Sequence, residues 1–323
     1  MIEVRRYTTD QAEAWNQFVA QSKNGTFLFD RRYMDYHADR FSDHSLMVYE
    51  FRDPLACLSE NNRLLALLPA NERDGILYSH QGLTYGGLIT DQRATADKVC
   101  DIFRIINDYL REQGFRKVVY KPTPAIYHQM AADEDLYAMF VECRAHLTSR
   151  NASSCLRLDR QTRFAESRRS GCRKATAAGL TVSESEDLKA FWEILTSNLQ
   201  EKYAAAPVHT VEEMQLLRSR FPEQIRLFTV SDPAGQLLGG TLLYLTPQTV
   251  HTQYISASPE GKRKGALDLL FDTLIHHTHF PQTYFDFGTS ALDDSCQLNL
   301  PLFFQKQGFG ARTVCYDRYE WNL

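Results

Sequence analysis

The segment Ser258-Pro259-Glu260-Gly261-Lys262-Arg263-Lys264-Gly265-Ala266 leads from an apolar run into a helical pattern, with three cations and two glycines at the junction. A phosphate or pyrophosphate group needs this combination of backbone N–H donors at a helix start, positive charge and close backbone approach. Lys262, Arg263, Lys264, Gly265 and Ala266 are therefore the expected contacts of an anionic cofactor, although the same residues also describe a solvated turn. The corresponding turn in the first half, Asp91-Gln92-Arg93-Ala94-Thr95-Ala96, has one cation and no glycine, so the second half is the better place for such a site.

A second concentration of charge lies between Arg150 and Lys174, where eight basic residues stand against two acids in a chain of net charge -4. So local an excess implies an anionic ligand, against the alternative of a solvated helix or linker. Arg169, Arg173 and Lys174 belong to it. Phe164 is its one aromatic, so the interleaved rings that stack on bases are missing, and neither DNA nor sequence-specific RNA readout is indicated. Asp286, between Phe285 and Phe287 in a strand pattern, faces away from both and is either a base for an amine proton or merely turned to solvent. His276-His277-x-His279 has no acidic or cysteine partner at ligand spacing, so no metal is expected. The chain has no Gly-x-Ser-x-Gly elbow, Walker loop or Gly-x-Gly-x-x-Gly fingerprint, which leaves open a transferase that positions two substrates.

The elements that must hold these residues repeat. Val99, Ile102, Phe103, Ile106 and Leu110 predict a helix over 97–113, stopped by Gly114, between the apolar runs 64–68 and 83–89 and a strand at Lys117–Tyr120. The second half has runs at 236–245 and 250–256, a helix from Ala266 to about His277 with Leu267, Leu270, Phe271, Leu274 and Ile275 as its stripe, and a strand at Thr283–Phe287. Pairing Leu64-Leu65 with Leu237-Leu238 and Val118-Val119 with Tyr284-Phe285 gives offsets of 173 and 166 residues, the mark of a duplicated unit. Helices near Trp15 and Phe18 and over 187–203 open the two units, and 187–220 reads as two ordinary helices. The fold class is therefore α/β, each half a mixed, largely antiparallel sheet flanked by helices. A length of 323 residues suits two domains, placed at 1–148 and 149–323.

Composition narrows the class. At 43% hydrophobic and 24% charged residues the chain is neither disordered nor fibrous. No apolar run reaches the ~18 residues of a membrane span, and the start Met1-Ile2-Glu3-Val4-Arg5-Arg6 lacks a signal-peptide core, so a cytoplasmic protein without membrane insertion is expected. Seven cysteines, at 57, 100, 143, 155, 172, 296 and 315, without a Cys-x-x-Cys pair, fit small buried hydrophobes better than a disulfide framework.

Two motifs resemble a known family. Arg168-Arg169-Ser170-Gly171-Cys172-Arg173-Lys174-Ala175, continuing to Gly179-Leu180, is similar to the Arg-x-x-x-Arg-Lys-Ala-x-x-x-Gly segment of Fem-type aminoacyltransferases. Tyr284-Phe285-Asp286-Phe287-Gly288, followed by Leu302-Phe303-Phe304-Gln305-Lys306-Gln307-Gly308-Phe309-Gly310, resembles that family's strand and its Phe-Lys-x-Gly-Phe-Gly signature. Gln305 replaces the phenylalanine before the signature lysine, and Lys262-Arg263-Lys264-Gly265-Ala266 departs from the Gln/Arg-x-x-Gly-x-Gly/Ala loop of the wider superfamily.

The resemblance implies two tandem acetyltransferase-like (GNAT) domains with the active site in the second. It implies attack of an amine on an activated acyl group without a covalent enzyme intermediate. Lys306 would be the cation near the donor phosphate or the developing oxyanion, and Arg173 and Lys174 would hold an anionic substrate. Tyr254 would be an acid by analogy with other acetyltransferases. Because 187–220 holds no long helical hairpin, a coenzyme A thioester is favoured as donor over aminoacyl-tRNA, and no metal is needed. The implied function is N-acyl or aminoacyl transfer to an amine of a cell-envelope precursor or sugar nucleotide. The alternative is a catalytically silent module of the same fold that keeps an anion pocket.

Overall fold

The computed structural model describes residues 1–51, 62–292 and 296–323. The chain forms two units, one of residues 1–151 with 315–323 and one of residues 152–314. The second domain was expected to run to 323, but Cys315–Leu323 belongs to the first unit.

In the first unit β1 (Ile2–Arg6), α1 (Ala12–Gln21), α2 (Arg31–Met34), β2 (Ser42–Asp43), β3 (Leu46–Glu50), β4 (Arg63–Leu68), β5 (Asn71–Arg73), β6 (Ile76–Tyr78), β7 (Ile89–Thr90), α3 (Ala96–Glu112), β8 (Lys117–Tyr120) and α4 (Glu134–Val141) follow in order. One sheet has the order β1-β3-β4-β7, all antiparallel. In a second set of strands β6 runs parallel to β8 and antiparallel to β5. The predicted stripe of α3 is buried, and Gly114, at φ 83°, ends the helix as expected. The apolar run 83–89 makes a strand only at its end. Its backbone goes elsewhere: a Cβ on Gly86 would lie 1.9 Å from the Ser79 carbonyl, and the Leu88 amide donates to the Tyr120 hydroxyl at 2.6 Å.

β9 (His146–Arg157) carries the chain into the second unit. There follow α5 (Glu166–Ala177), β10 (Thr181–Ser185), α6 (Leu188–Tyr203), α7 (Val211–Arg220), β11 (Ile225–Ser231), β12 (Leu237–Leu245), β13 (Thr249–Ala257), α8 (Pro259–Lys264), α9 (Ala266–Asp272), β14 (Tyr284–Thr289) and α10 (Leu300–Gly308), and β15 (Arg312–Asn322) returns to pair with β8. The sheet order is β10-β11-β12-β13-β14-β9, antiparallel except for β13 and β14. α6 and α7 are two separate ordinary helices, as the sequence indicates.

The parallel pair is the feature that makes room for a ligand. Its register covers only Thr249↔Tyr284, Val250↔Phe285 and His251↔Asp286, while β13 continues to Ala257 and β14 to Thr289. Past that point the ladder stops and the sheet opens.

Two predicted elements differ in form. The cationic turn is mostly a helix, α8: Pro259 sits in its first turn, the Ser258 Oγ caps the Gly261 amide at 3.0 Å, and Gly265 at φ 80° separates it from α9. The helix expected to His277 is regular only to Asp272 and continues as a π-turn over Thr273–His277. Of the cysteines, Cys100, Cys143 and Cys155 are buried, Cys172 and Cys296 are partly buried, and Cys315 is exposed. Cys57 lies outside the described residues.

The first unit also buries His37 and His80, their rings 5.3 Å apart. Burial lowers their pKa values to about 4 and about 3, with the neighbouring positive charges adding to the effect. The unfolded chain takes up protons near pH 6.5 while the folded chain refuses them, so stability falls as the pH drops from 6.5 through about 4 to about 3. His80 sits at φ 66°, where asparagine is well tolerated. His80→Asn should therefore flatten the pH dependence of the unfolding free energy between pH 6.5 and 4; equal slopes for variant and wild type in denaturant titrations would contradict this origin.

Candidate active site

The opening between β13 and β14 is a cavity of about 560 Å³. β13 contributes Ile255, Ser256 and Ala257, and β14 contributes Phe287. The remaining walls come from α6, α8, α9 and α10. Much of the lining is apolar, including Leu195, Leu199, Leu267 and Phe271, with a few polar groups set into it. The size and the mixture are those of small-molecule pockets. Behind it the rings of Phe271 and Phe287 lie 5.1 and 5.5 Å from Phe309, and all three are buried.

Lys306, in the last turn of α10, reaches this wall with only 4% of its surface exposed. Its Nζ donates to the Gly288 carbonyl at 2.8 Å and to the Thr289 carbonyl at 2.9 Å. An ammonium has three donors, so one remains for a ligand in the cavity. Burial lowers its pKa to about 8, and the charge of Asp286 opposes that shift. Gly288 is required where it stands: its φ is 73°, and a Cβ would meet the His251 ring at 3.3 Å.

Asp286 is fully buried and is not among the residues lining the cavity. Its carboxylate accepts from the Ser153 hydroxyl at 2.5 Å and from the Gly288 amide at 3.1 Å, and lies 3.0 Å from His251 Nδ1. It pins the bend that presents the Gly288 and Thr289 carbonyls to Lys306. Tyr254 is also off the lining. Its hydroxyl is 2.6 Å from His209 Nδ1 and accepts from the His209 amide at 3.2 Å, and burial raises its pKa.

Of the cationic segment, Lys262 alone lines the cavity. Lys264 pairs with Glu260 at 2.8 Å, and Arg263, Gly265 and Ala266 are not in the lining. Arg169, Arg173 and Lys174 are likewise outside it: Arg169, partly buried, and Arg173, exposed, both bond Glu166 at the start of α5, and Lys174 is exposed. The Arg-Arg-Ser-Gly motif packs α5 onto α9. Arg168 bonds Asp268 at 2.7 Å, and a Cβ on Gly171 would fall 1.8 Å from that carboxylate. Among the described residues no group of three or more His, Cys, Asp or Glu is arranged to hold a metal, and His276 is bonded to Asp272 and the Thr162 carbonyl.

Sequence reasoning missed Asn198. Its Nδ2 lies within hydrogen-bonding distance of the Ile194 carbonyl, Ser256 Oγ and the Ala257 carbonyl at 3.0, 2.8 and 2.9 Å, and its Oδ1 accepts from Lys262 at 2.6 Å. One side chain thus ties α6, the end of β13 and α8 together around the cavity. The signal was available: Asn198 is three residues after Leu195 and seven after Phe191, a polar residue on the apolar stripe of its helix.

Comparison with known proteins adds the family of this unit. Residues 162–294 match the sequence model of the acetyltransferase (GNAT) domain. The match lies within the second unit and covers most of it. No curated protein matches the chain in sequence. Among solved structures the chain is similar to FemX, with 13% identity, a TM-score of 0.67 and coverage of 99% of this chain and 97% of that one. It is also similar to L-PGS from Bacillus licheniformis, at 11% identity, TM-score 0.57 and 98% and 92% coverage. A tandem GNAT protein from the clavulanic acid biosynthesis pathway follows at 12% identity, TM-score 0.52 and 100% and 98% coverage. At these identities the likeness concerns the fold, which is a tandem GNAT fold of FemX type over the whole chain.

Asn198→Ala removes two amide donor hydrogens, shared among three acceptors, and the acceptor of Lys262. A loss of about 1–3 kcal/mol of stability is expected, read as a lower urea midpoint with unchanged slope. A change below about 0.3 kcal/mol would show that the amide does not hold the cavity wall.

Proposed function

We propose that the protein is an N-acyltransferase whose GNAT domain binds an activated acyl donor in the opened end of the β13–β14 pair, with Lys306 facing the reacting carbonyl. The observation that carries this reading is the buried ammonium of Lys306, fixed by two carbonyls at the wall of an apolar cavity. Such a group is preorganised for negative charge that develops in place, and in a dry site its effect is larger than in water.

The chemistry is direct transfer. The amine lone pair attacks the acyl carbon, the carbonyl oxygen takes on charge beside Lys306, and the bond to the leaving group breaks as the carbonyl re-forms. The nitrogen gives up one proton as the C–N bond forms and the departing thiolate takes it up, so that thioester and amine give amide and free thiol. Nothing in the lining favours an acyl-enzyme: no described cysteine lines the cavity, and its serine, Ser256, is held by Asn198. Asp286 and Tyr254, both off the cavity wall, are given positioning parts here, Asp286 through the Gly288 bend and Tyr254 through His209.

A coenzyme A thioester suits the site better than an aminoacyl-tRNA, because α6 and α7, of 16 and 10 residues, are ordinary helices rather than one long arm, and Lys262 is the cation at the cavity edge on the α8 side. The acceptor is proposed to be an amine of a cell-envelope precursor or sugar nucleotide. A silent anion-binding GNAT module is the second reading, favoured by the folding of the cationic segment into α8 with Lys264 tied to Glu260.

Thermal unfolding with coenzyme A, acetyl-CoA and a UDP-linked peptidoglycan precursor tests the reading. A ligand at 100 times its dissociation constant stabilises by about 2.7 kcal/mol. Stabilisation by the coenzyme A species, together with acyl transfer that Lys306→Met lowers by about 100-fold or more, is the expected result. Stabilisation by the precursor alone would point to an aminoacyl donor, and binding without turnover in the wild type would favour the silent module.

A further inference from the structure

The second unit holds another concavity, of about 850 Å³, that the transfer chemistry does not use. It lies between the segment 158–164, the start of α5 and the π-turn after α9, and Arg160, Arg163 and Arg169 converge on it together with His276 and His277. Its charge is not cancelled by its own acids. Asp159 is held by Arg157, Nε to Oδ1 at 2.8 Å and a second nitrogen to Oδ2 at 2.5 Å, and Asp272 is engaged by His276 at 2.8 Å. Arg160 and Arg163 form no salt bridge among the described residues, although their charges are felt by Asp159 and Glu166, and the buried Nε of Arg169 has no hydrogen-bond partner.

The walls are preformed. His276 spans the groove, with Nδ1 2.8 Å from Asp272 and Nε2 2.9 Å from the Thr162 carbonyl. Phe164, 4% exposed, packs its ring 4.6 Å from His276 on one side and 5.1 Å from Phe309 on the other. Phe309 lines the first cavity, so the Phe164–Phe309 contact forms part of a partition between the two sites.

We propose that this groove is a binding site for a compact ligand carrying two or more phosphate groups, distinct from the acyl-transfer cavity. Guanidinium groups match phosphate oxygens in a bidentate fork, and three of them in one concavity, two of them in no salt bridge among the described residues, fit clustered negative charge. The groove is confined, and its basic segment has one aromatic residue, which suits a short oligophosphate better than a polymer that needs stacked bases along a strip.

Isothermal titration with inorganic pyrophosphate, ADP and a single-stranded RNA homopolymer tests the assignment. Pyrophosphate and ADP should bind the wild-type protein, and the Arg160→Gln/Arg163→Gln pair, both on exposed side chains, should weaken that binding at least 10-fold. Lys306→Met, in the other cavity, should leave it unchanged. Absent binding, binding insensitive to the arginine pair, or binding lost in Lys306→Met would overturn the proposal. RNA binding much tighter than pyrophosphate, with a steep salt dependence, would overturn the compact-ligand assignment in favour of a phosphodiester chain.

Discussion

Much of the second unit depends on keeping one ammonium group out of water. A buried lysine is unfavourable unless its donors are met, and here two backbone carbonyls, of Gly288 and Thr289, meet two of the three. That requirement reaches outward. The carbonyls face α10 because the chain bends at Gly288, the bend is fixed by Asp286, and Asp286 is held by Ser153 on the neighbouring strand β9. Phe287, Phe271 and Phe309 pack around the same point and exclude water from it. The cavity, the depressed pKa of Lys306 and the close approach of α10 to β14 follow from this arrangement.

The architecture was legible in the sequence where apolar periodicity was strong and unbroken. The stripe from Val99 to Leu110 gave α3 to within a residue at each end, and the strands at 117–120, 237–245 and 249–257 lie close to their expected positions. Reading failed where backbone groups leave the regular ladder for side chains. Leu83–Leu88 has a strand's composition, but its amides and glycines are committed to Tyr120 and Ser79. The turn at 258–266 has the composition of a loop, yet a serine cap and a proline at the start make a helix of it. The C-terminal segment from Cys315 looked like part of the second domain because chain order cannot show which sheet a last strand joins.

The site was legible in part. Lys306 and Lys262 both reach the cavity. Arg173 and Lys174 do not, since charge on a helix surface says nothing about which face of the helix meets a neighbour. Gly171 and Arg168 of the same motif serve the α5–α9 contact, which explains a glycine in mid-helix that propensity alone disfavours. Asp286 was rightly placed off the face of its phenylalanine neighbours, but the space it faces is filled by Ser153 and His251 rather than by solvent. Asn198 escaped notice because its meaning lies in four contacts with three separate elements, none of which is near it in sequence except its own helix.

Lys306 stands beside the cavity as a buried, partly uncompensated cation. The most direct test is an NMR titration of the lysine side chains, with the Lys306 signal assigned by its absence in Lys306→Met. Titration near pH 8 is predicted; titration near pH 10.5, with the other lysines, would mean that the ammonium is solvated and that the cavity wall described here does not form.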